Sequence, residues 1–178
     1  MKSNPSVKGL ILAAGHGSRL RPLSQNCPKP FVPFLGISPA HRLLSIFHQL
    51  ECIHSIAINS FHASEVIDQF QKTTPISFYH SKEAELLNTG GGIANLKEWL
   101  GGSDLLVTSG DILADFDFTG FVDHFITTQP LATIGLIPHV AGTPPCEVKN
   151  NKLASIRERG EHTFAGCYIL SNLSLIHI

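Results

Sequence analysis

The chain has 178 residues, of which 43% are hydrophobic and 15% charged, and its formal net charge is −1 when the histidines are neutral. This length and composition favour a single folded domain over residues 1–178, and the scattered Lys and Arg residues exclude the broad basic face of a nucleic-acid-binding protein. Because the N-terminal apolar run is too short for a signal peptide and no later run approaches membrane-spanning length, we expect a cytoplasmic protein without a membrane partner.

Strands and helices are predicted to alternate along the chain. An apolar run of strand length at 7–14 ends at Gly15 and Gly17 and therefore indicates a buried central strand. Apolar residues recur at helical spacing over 43–50, after Pro39, and indicate the first helix. The later predicted elements are strand 56–59, helix 64–70, strand 76–80, helix 92–100, strand 105–108, helix 118–127, strand 132–138 and a segment at 146–157 in which Asn150 and Asn151 could turn a hairpin.

This alternation predicts an α/β fold in which a mostly parallel sheet is covered by helices on both faces and connected by right-handed crossovers. Ligands of such sheets bind beyond the carboxyl ends of the strands. The residues with chemical interest all fall at predicted strand ends, so we expect the functional site at that edge of the sheet.

Cysteine and histidine patterns give no sign of a metal or redox site. Cys27, Cys52, Cys146 and Cys167 are far apart and include no CxxC pair, so reduced and mostly buried thiols are expected. The ten histidines occur mostly singly and without an HxxxH pair, which predicts surface and loop positions.

The segment after the first predicted strand forms a glycine turn. Gly15 and Gly17 allow a tight turn whose backbone N–H groups point outward and form a concave site for phosphate oxygens. A Walker A motif is absent, and Leu20 stands where a dinucleotide fingerprint needs its third glycine. A short glycine motif alone is often only a turn, so the interpretation depends on the cations that follow it.

Basic residues behind the glycine turn favour an anion-binding site. Arg19 can contact phosphate in a planar bidentate manner, and Lys29 supplies a compact positive charge. Pro28 and Pro30 restrict the backbone on both sides of the lysine, so its amine is presented from a stiff segment. Arg21 has no such rigid support, and for it a solvated side chain and a functional one are equally open.

A longer pattern includes both features. Residues 9–33 read GLILAAGHGSRLRPLSQNCPKPFVP, which resembles the signature of the sugar nucleotidyltransferase superfamily, LAAGxGxRLxPLT followed by PKPxxP. Asn59, the Leu-Asn-Thr-Gly-Gly-Gly run at 87–92 and Ser-Gly-Asp at 109–111 then come in the order typical of that family. The Thr-Gly-Gly-Gly form is similar to N-acetylmuramate 1-phosphate uridylyltransferases and also to heptose and mannose 1-phosphate guanylyltransferases.

The resemblance implies a Rossmann-like three-layer α/β/α sandwich and an enzyme that uses Mg²⁺. Its substrates would be a nucleoside triphosphate, with UTP favoured, and a sugar 1-phosphate, with recycled N-acetylmuramate 1-phosphate favoured, and pyrophosphate would be released. Arg19, Lys29 and Asp111 are the implied catalytic residues. By position, Leu12, Ala13, Ala14 and Gly15 line the nucleoside; Gly17, Ser18 and Arg19 hold the triphosphate; Lys29 lies at the reacting phosphates; Glu85, Thr89 and Gly90 lie near the base and ribose; Asn59 lies near the sugar; and Asp111 binds the metal.

Some of these residues also have a physical rationale of their own. A carboxylate such as Asp111, after a glycine at a strand end, is well placed as a hard ligand for Mg²⁺, although aspartates are also common in turns. A glycine triplet that opens a helix lets a ligand approach the backbone and offers free N–H groups, with a flexible surface loop as the alternative. Asp115 and Asp117 are expected to be turn and cap residues before the helix at 118–127.

Departures from the family pattern bear on activity. Ser109 replaces the usual asparagine of Asn-Gly-Asp, and no second aspartate in a Val-Asp-x-Gly setting follows Tyr168, so we expect a domain that lacks its C-terminal part. Apolar surface exposed in this way would invite association into a homo-oligomer. Three functions stay open: an active uridylyltransferase, a mannose or heptose 1-phosphate guanylyltransferase, and a catalytically silent regulatory subunit that binds a nucleotide sugar.

Overall fold

Eight strands join in one sheet in the computed structural model, which describes residues 6–113 and 115–176. The strands are β1 (Val7–Leu12), β2 (Ile53–Ser60), β3 (Tyr79–Lys82), β4 (Asp104–Ser109), β5 (Ala132–Pro138), β6 (Pro145–Lys149), β7 (Lys152–Ile156) and β8 (His162–Leu170). The helices are α1 (Pro39–Gln49), α2 (Ser64–Thr73), α3 (Asn88–Ala94), α4 (Lys97–Leu100), α5 (Phe118–Thr128) and α6 (Asn172–Leu175), with short 3-10 helices at Ser18–Leu20 and Lys29–Phe31.

The first four strands are parallel and lie in the order β3-β2-β1-β4. Leu10 of β1 pairs with Ala57 of β2 on one side and with Val107 of β4 on the other, so β1 is a central strand. Because parallel strands need crossover connections, helices α1 to α4 join them. The carboxyl ends of all four strands therefore meet at one edge, and the predicted α/β fold with a mostly parallel central sheet is confirmed.

Strand β8 extends the sheet beyond β4 in the antiparallel direction. Tyr168 of β8 pairs with Val107 of β4 and, on the other side, with Ile134 of β5. The start of β8 pairs with β6, which forms a hairpin with β7. Asn150 and Asn151 turn this hairpin with φ values of 51° and 56°, as a two-residue hairpin turn requires, and this confirms the hairpin prediction.

Helices cover both faces of the parallel strands, because successive strand residues point to opposite sides of a sheet. Ile11 and Leu106 pack on one face in a cluster with apolar residues of α1, α2 and α5. The adjacent residues Leu10 and Leu105 pack on the other face with apolar residues of α3 and α4. The result is the three-layer arrangement that the resemblance implied.

The structure differs from the prediction at several boundaries. The helix predicted at 92–100 is two short helices, and α3 begins at Asn88, so the glycine triplet lies inside a helix and does not precede one. The third strand was predicted at 76–80 but begins at Tyr79. The Gln71 side chain of α2 donates a hydrogen bond to the Phe78 carbonyl, 2.7 Å away, which satisfies that group outside the sheet ladder. Strand β8 was not among the predicted elements.

Burial and capping settle further expectations. All four cysteines are free; Cys146 and Cys167 are buried, and burial raises the pKa of the Cys167 thiol to about 11. Asp117 caps α5, since its Oδ1 accepts a hydrogen bond from the Gly120 N–H at 2.9 Å, as predicted. The expectation that the histidines are surface and loop residues is wrong for His80, which lies on β3 with its side chain only 4% exposed and with polar partners at both ring nitrogens. None of the described helices has the length and apolar character needed to cross a membrane.

Candidate functional site

A cavity of about 410 Å³ opens at the carboxyl ends of β1, β2 and β4. All the predicted site residues except Glu85 and Gly90 line it. The full lining is Leu12, Ala13, Ala14, Gly15, Gly17, Ser18, Arg19, Lys29, Pro30, Asn59, Leu86, Asn88, Thr89, Ser109 and Asp111.

The glycine turn after β1 forms one wall of the cavity. Gly17 has a φ of 59°, and a Cβ added to it would lie only 2.9 Å from the Lys29 Cβ, so a side chain is disfavoured there both by conformation and by space. The Gly17 carbonyl accepts a hydrogen bond from the buried Ser24 hydroxyl at 2.6 Å. This contact folds the turn back and leaves the exposed Arg19 on the cavity side.

Lys29 and Asp111 meet in the same cavity. Pro30 is buried, and a Cβ added to Gly110 would lie 2.9 Å from its ring atoms and 2.5 Å from the Leu12 carbonyl oxygen. The absent side chain at Gly110 therefore lets the segment carrying Lys29 lie directly against the end of β4. Lys29 Nζ consequently lies 2.5 Å from Asp111 Oδ2, with side-chain exposures of 41% and 35%.

The charge arrangement suits an anion accompanied by a hard cation. Arg19 and Lys29 supply two positive charges at the cavity, while Asp111 supplies one carboxylate. Magnesium is commonly held by one or two carboxylates, its remaining ligands being waters and substrate phosphates. Among residues 6–113 and 115–176, no three or more His, Cys, Asp and Glu residues cluster as a metal site. The donor set therefore fits Mg²⁺ held by Asp111 together with phosphate oxygens, and it does not form an all-protein cage.

Asn59 lines the cavity but is 2% exposed, and its amide is engaged with the protein. Its Oδ1 accepts a hydrogen bond from the Ala13 N–H at 2.7 Å, and its Nδ2 donates one to Glu83 Oε1 at 2.7 Å. Glu83 Oε2 in turn accepts from the Leu87 N–H at 3.1 Å. The amide that the resemblance placed near a sugar thus connects two walls of the cavity.

The segment around α3 forms a second wall through Leu86, Asn88 and Thr89. Glu85 and Gly90 are exposed and lie outside the lining, so the structure does not bring these two predicted residues into the cavity. Beyond its chain neighbours and the backbone of its own helix, a Cβ added to Gly90 would meet no described atom within 4 Å, which leaves open space beside this residue.

Comparison with known protein families matches most of the chain. Residues 8–143 match the family described as nucleotidyl transferase. The chain belongs to that family. The matched region begins within β1 and includes the glycine turn, the Lys29 segment, α3 and Asp111.

The names of individual relatives of this nucleotidyl transferase chain specify different nucleotide bases and different sugars. The chain is 27% identical over 173 residues to mannose-1-phosphate guanylyltransferase of Mycobacterium tuberculosis. This match covers 92% of the chain and 48% of that protein. It is 33% identical over 116 residues to N-acetylmuramate alpha-1-phosphate uridylyltransferase of Neisseria meningitidis. This match covers 64% of the chain and 50% of that protein. The chain thus spans about half the length of the curated relatives it matches.

Solved structures share the fold. HddC from Yersinia pseudotuberculosis, complexed with GMP-PN, superposes with a TM-score of 0.76 at 26% identity, covering 93% of this chain and 77% of that chain. UDP-glucose pyrophosphorylase from Acinetobacter baumanii superposes with a TM-score of 0.73 at 16% identity, covering 95% of this chain and 75% of that chain. The second likeness bears on the fold alone.

Several residues of the nucleotidyl transferase cavity were not among the predicted site residues. All of them except Leu86 stand within motifs that the sequence analysis quoted; they are Pro30, Leu86, Asn88 and Ser109. Leu86 is an ordinary apolar residue and gives no signal in a sequence. Glu83 was also missed, and the available signal was a carboxylate directly after a strand, next to the strand that ends near Asn59.

Proposed function

We propose that this chain is a sugar-1-phosphate nucleotidyltransferase, which joins a nucleoside triphosphate to a sugar 1-phosphate and releases pyrophosphate. The observation that carries the proposal is the convergence of the glycine turn, Lys29 and Asp111 on one cavity at the carboxyl edge of the sheet. Membership of the nucleotidyl transferase family supports it. We also propose that residues 1–178 form one nucleotidyltransferase domain and that the protein is cytoplasmic.

The reaction requires little proton transfer by groups of the protein. A phosphate oxygen of the sugar 1-phosphate attacks the α-phosphorus of the triphosphate, a new P–O bond forms, and the bond to the bridging oxygen of the pyrophosphate breaks. A phosphate monoester has its second pKa near ~6, so the nucleophile is largely ionised at neutral pH. No general base is therefore needed from the residues that line the cavity.

The protein must instead bring two anions together and balance the negative charge that develops. The 15–19 turn offers backbone N–H groups and the Arg19 guanidinium to the triphosphate. Lys29 lies next to the turn as a compact cation on a segment stiffened by two prolines. When bound, Mg²⁺ would neutralise and orient the phosphates, with Asp111 as its protein ligand.

For the base and sugar, we propose UTP and N-acetylmuramate 1-phosphate, the pair that the resemblance favours, although the Thr-Gly-Gly-Gly run is shared with the guanylyltransferases. The 33% identity to the Neisseria meningitidis uridylyltransferase supports it. Guanylyl transfer to mannose or heptose 1-phosphate is the second candidate. It is favoured by the Mycobacterium tuberculosis guanylyltransferase, whose match extends over 92% of this chain, and by the likeness to HddC, solved with GMP-PN.

A thermal-shift panel of UTP, GTP, CTP, dTTP and ATP, each with and without Mg²⁺, tests the function. A ligand present at a hundred times its dissociation constant stabilises a fold by about 2.7 kcal/mol, which raises the melting temperature measurably. A magnesium-dependent shift with UTP alone supports uridylyl transfer, and one with GTP alone supports the second candidate. Pyrophosphate release with the matching sugar phosphate then tests turnover.

Either negative result has a defined meaning. A cooperative melt that no nucleotide shifts would contradict the proposed enzyme. A nucleotide-dependent shift without pyrophosphate release from any sugar phosphate would instead favour a catalytically silent nucleotide-binding subunit.

A further inference from the structure

The two walls of the cavity are connected by a chain of buried hydrogen bonds. It runs from the Ala13 N–H to Asn59 Oδ1 at 2.7 Å, from Asn59 Nδ2 to Glu83 Oε1 at 2.7 Å, and from the Leu87 N–H to Glu83 Oε2 at 3.1 Å. Ala13 belongs to the glycine-turn wall, and Leu87 immediately precedes α3 and stands between Leu86 and Asn88, both of which line the cavity. These three bonds are called the Asn59–Glu83 relay below.

The direction of each bond in the relay is fixed by chemistry. A backbone N–H can only donate, so the carboxamide must present its oxygen to Ala13 and its nitrogen to Glu83. Glu83 then accepts with both oxygens, one from Asn59 and one from Leu87. A single exchange of carboxamide for carboxylate at position 59, or of carboxylate for carboxamide at position 83, therefore places two acceptors or two donors against each other.

The relay lowers the stability of the fold, because it keeps a carboxylate away from water. Asn59 is 2% exposed and Glu83 is 6% exposed, and within the described residues no Lys, Arg or His lies within ion-pair distance of the Glu83 carboxylate. A buried carboxylate without a counter-charge costs free energy that neutral donors only partly recover. Two apolar residues of similar size could fill the space, but they would not bind the two backbone N–H groups.

Gly92 makes room for the relay. A Cβ at this position would lie 2.8 Å from Glu83 Oε1 and 3.0 Å from Asn59 Nδ2. The third glycine of the triplet therefore lets α3 pack directly on the two polar side chains. Helix α3, the end of β2 and the first residue after β3 are thereby held together at the cavity.

We propose that Asn59 and Glu83 are positioning residues, which hold the backbone of the glycine turn and the start of α3 at the separation that a bound nucleotide requires. The inference rests on the proposed nucleotide-binding function, and it assigns Asn59 a structural task in that site in place of contact with a sugar. Glu83, which no motif singled out, becomes the link between the walls.

An exchange of hydrogen-bonding character tests the relay. Asn59→Asp sets two carboxylates against each other, and Glu83→Gln leaves one N–H group facing another donor. The double variant Asn59→Asp/Glu83→Gln restores all three bonds with the same net charge, because the aspartate accepts from Ala13 and from the glutamine, whose oxygen accepts from Leu87. Asn95→Ala is the matched control, since it removes the 3.2 Å bond that Asn95, the residue after α3, donates to the Ser81 hydroxyl outside the relay.

Two measurements are made on each folded protein well below its melting temperature. Hydrogen exchange reports the amides of Ala13 and Leu87, and titration with the Mg²⁺–nucleotide that shifts the wild type reports affinity. Each single variant should lose protection at an amide of the relay and weaken nucleotide binding about tenfold or more, whereas the double variant should return to within about threefold of the wild type. Asn95→Ala should melt earlier with unchanged affinity.

Other results overturn the positioning role. Single variants that bind nucleotide as the wild type does would show that the relay serves stability only. A double variant no better than the singles, or a control that loses affinity equally, would show that the effect is general loosening. If no nucleotide binds the wild type, but the single variants lose amide protection and the double variant regains it, the proposed function fails. The coupling of the two walls then still stands.

Discussion

Lys29 Nζ lies 2.5 Å from Asp111 Oδ2, although the residues are 82 positions apart in the chain. The contact depends on Gly110, which leaves space for Pro30 against the end of β4. An ion pair exposed to this extent contributes little to stability, about 0–1 kcal/mol. The pair therefore brings a cation and a carboxylate together at the cavity while leaving both accessible to a ligand.

Lys29→Ala should leave the fold nearly intact and impair function. Loss of the half-exposed ion pair should change the free energy of unfolding by no more than about 1 kcal/mol. Loss of a charge-assisted contact to phosphate, by contrast, should weaken binding of a nucleoside triphosphate roughly 10- to 100-fold and remove most pyrophosphate release. Calorimetric titration and a pyrophosphate assay measure the two effects.

Lys82→Ala provides the control for that change. Lys82 Nζ forms an exposed ion pair with Asp68 Oδ2 at 2.7 Å, outside the cavity, so its removal should leave binding and turnover as in the wild type. Retention of most activity by Lys29→Ala would contradict the role assigned to this lysine.

Asp111→Asn should separate metal dependence from nucleotide binding. Asparagine keeps the size of the side chain but loses the charge that makes aspartate a good ligand for Mg²⁺. The increase in nucleotide affinity caused by Mg²⁺ should therefore shrink, while the affinity measured in EDTA should stay the same or rise slightly because one negative charge is removed. Asp115→Asn, an exposed substitution outside the cavity lining, should keep the full magnesium effect.

The parts of the site that could be predicted are those determined by local sequence. The glycine turn follows directly from an apolar strand and two glycines, and Lys29 is marked by the prolines on either side of it. The hairpin at Asn150 and Asn151 likewise follows from two residues that readily adopt positive φ. In each case neighbouring residues in the chain carry the physical cause.

The parts that could not be predicted depend on tertiary packing. Glu83 becomes important only because β2 and β3 pair with Asn59 opposite Ser81, which places the two strand ends together. The start of α3 at Asn88 was missed because glycines disfavour helix interiors. Here Gly92 is retained for its close approach to Glu83, and this contact is not visible in the sequence.

Two glycines of the triplet should respond differently to the same substitution. Gly90→Ala places a Cβ in open space within a helix and should keep or raise stability by up to about 1 kcal/mol. If the nucleotide approaches this backbone, the same change should weaken its binding. Gly92→Ala forces a Cβ against the Glu83 carboxylate and should lower the free energy of unfolding by about 1–3 kcal/mol.

Urea unfolding and nucleotide titration of both variants distinguish space needed by the fold from space needed by a ligand. Each variant is the control for the other, since both add one methyl group to the same helix. Unchanged nucleotide affinity in Gly90→Ala would show that the nucleotide does not contact Gly90. That result would agree with the position of Gly90 outside the cavity lining.

His80 should make the fold less stable in mild acid. Its Nε2 lies 2.7 Å from the Ser60 hydroxyl and its Nδ1 lies 2.9 Å from Asp68 Oδ1, with the side chain 4% exposed. Burial lowers the pKa of His80 below 6.5 and outweighs the opposite effect of Asp68. The unfolded chain therefore takes up a proton at a higher pH than the fold does, so the free energy of unfolding should fall as the pH decreases from about 6.5 toward the lower pKa of the fold.

His80→Gln isolates this contribution. Urea unfolding between pH 7 and pH 5 should give a shallower loss of stability for the variant than for the wild type, with some slope remaining because burial also lowers the pKa of His41. Asp68 does not account for the difference, since hydrogen bonds from Lys82 and then His80 hold its pKa below 3.8, and its contribution is lost only in stronger acid. The exposed His124→Gln is the control and should keep the wild-type slope. Equal slopes in wild type and His80→Gln would mean that the pKa of His80 is the same in the folded and unfolded chain, and a steeper loss in the variant would mean that pairing with Asp68 outweighs burial.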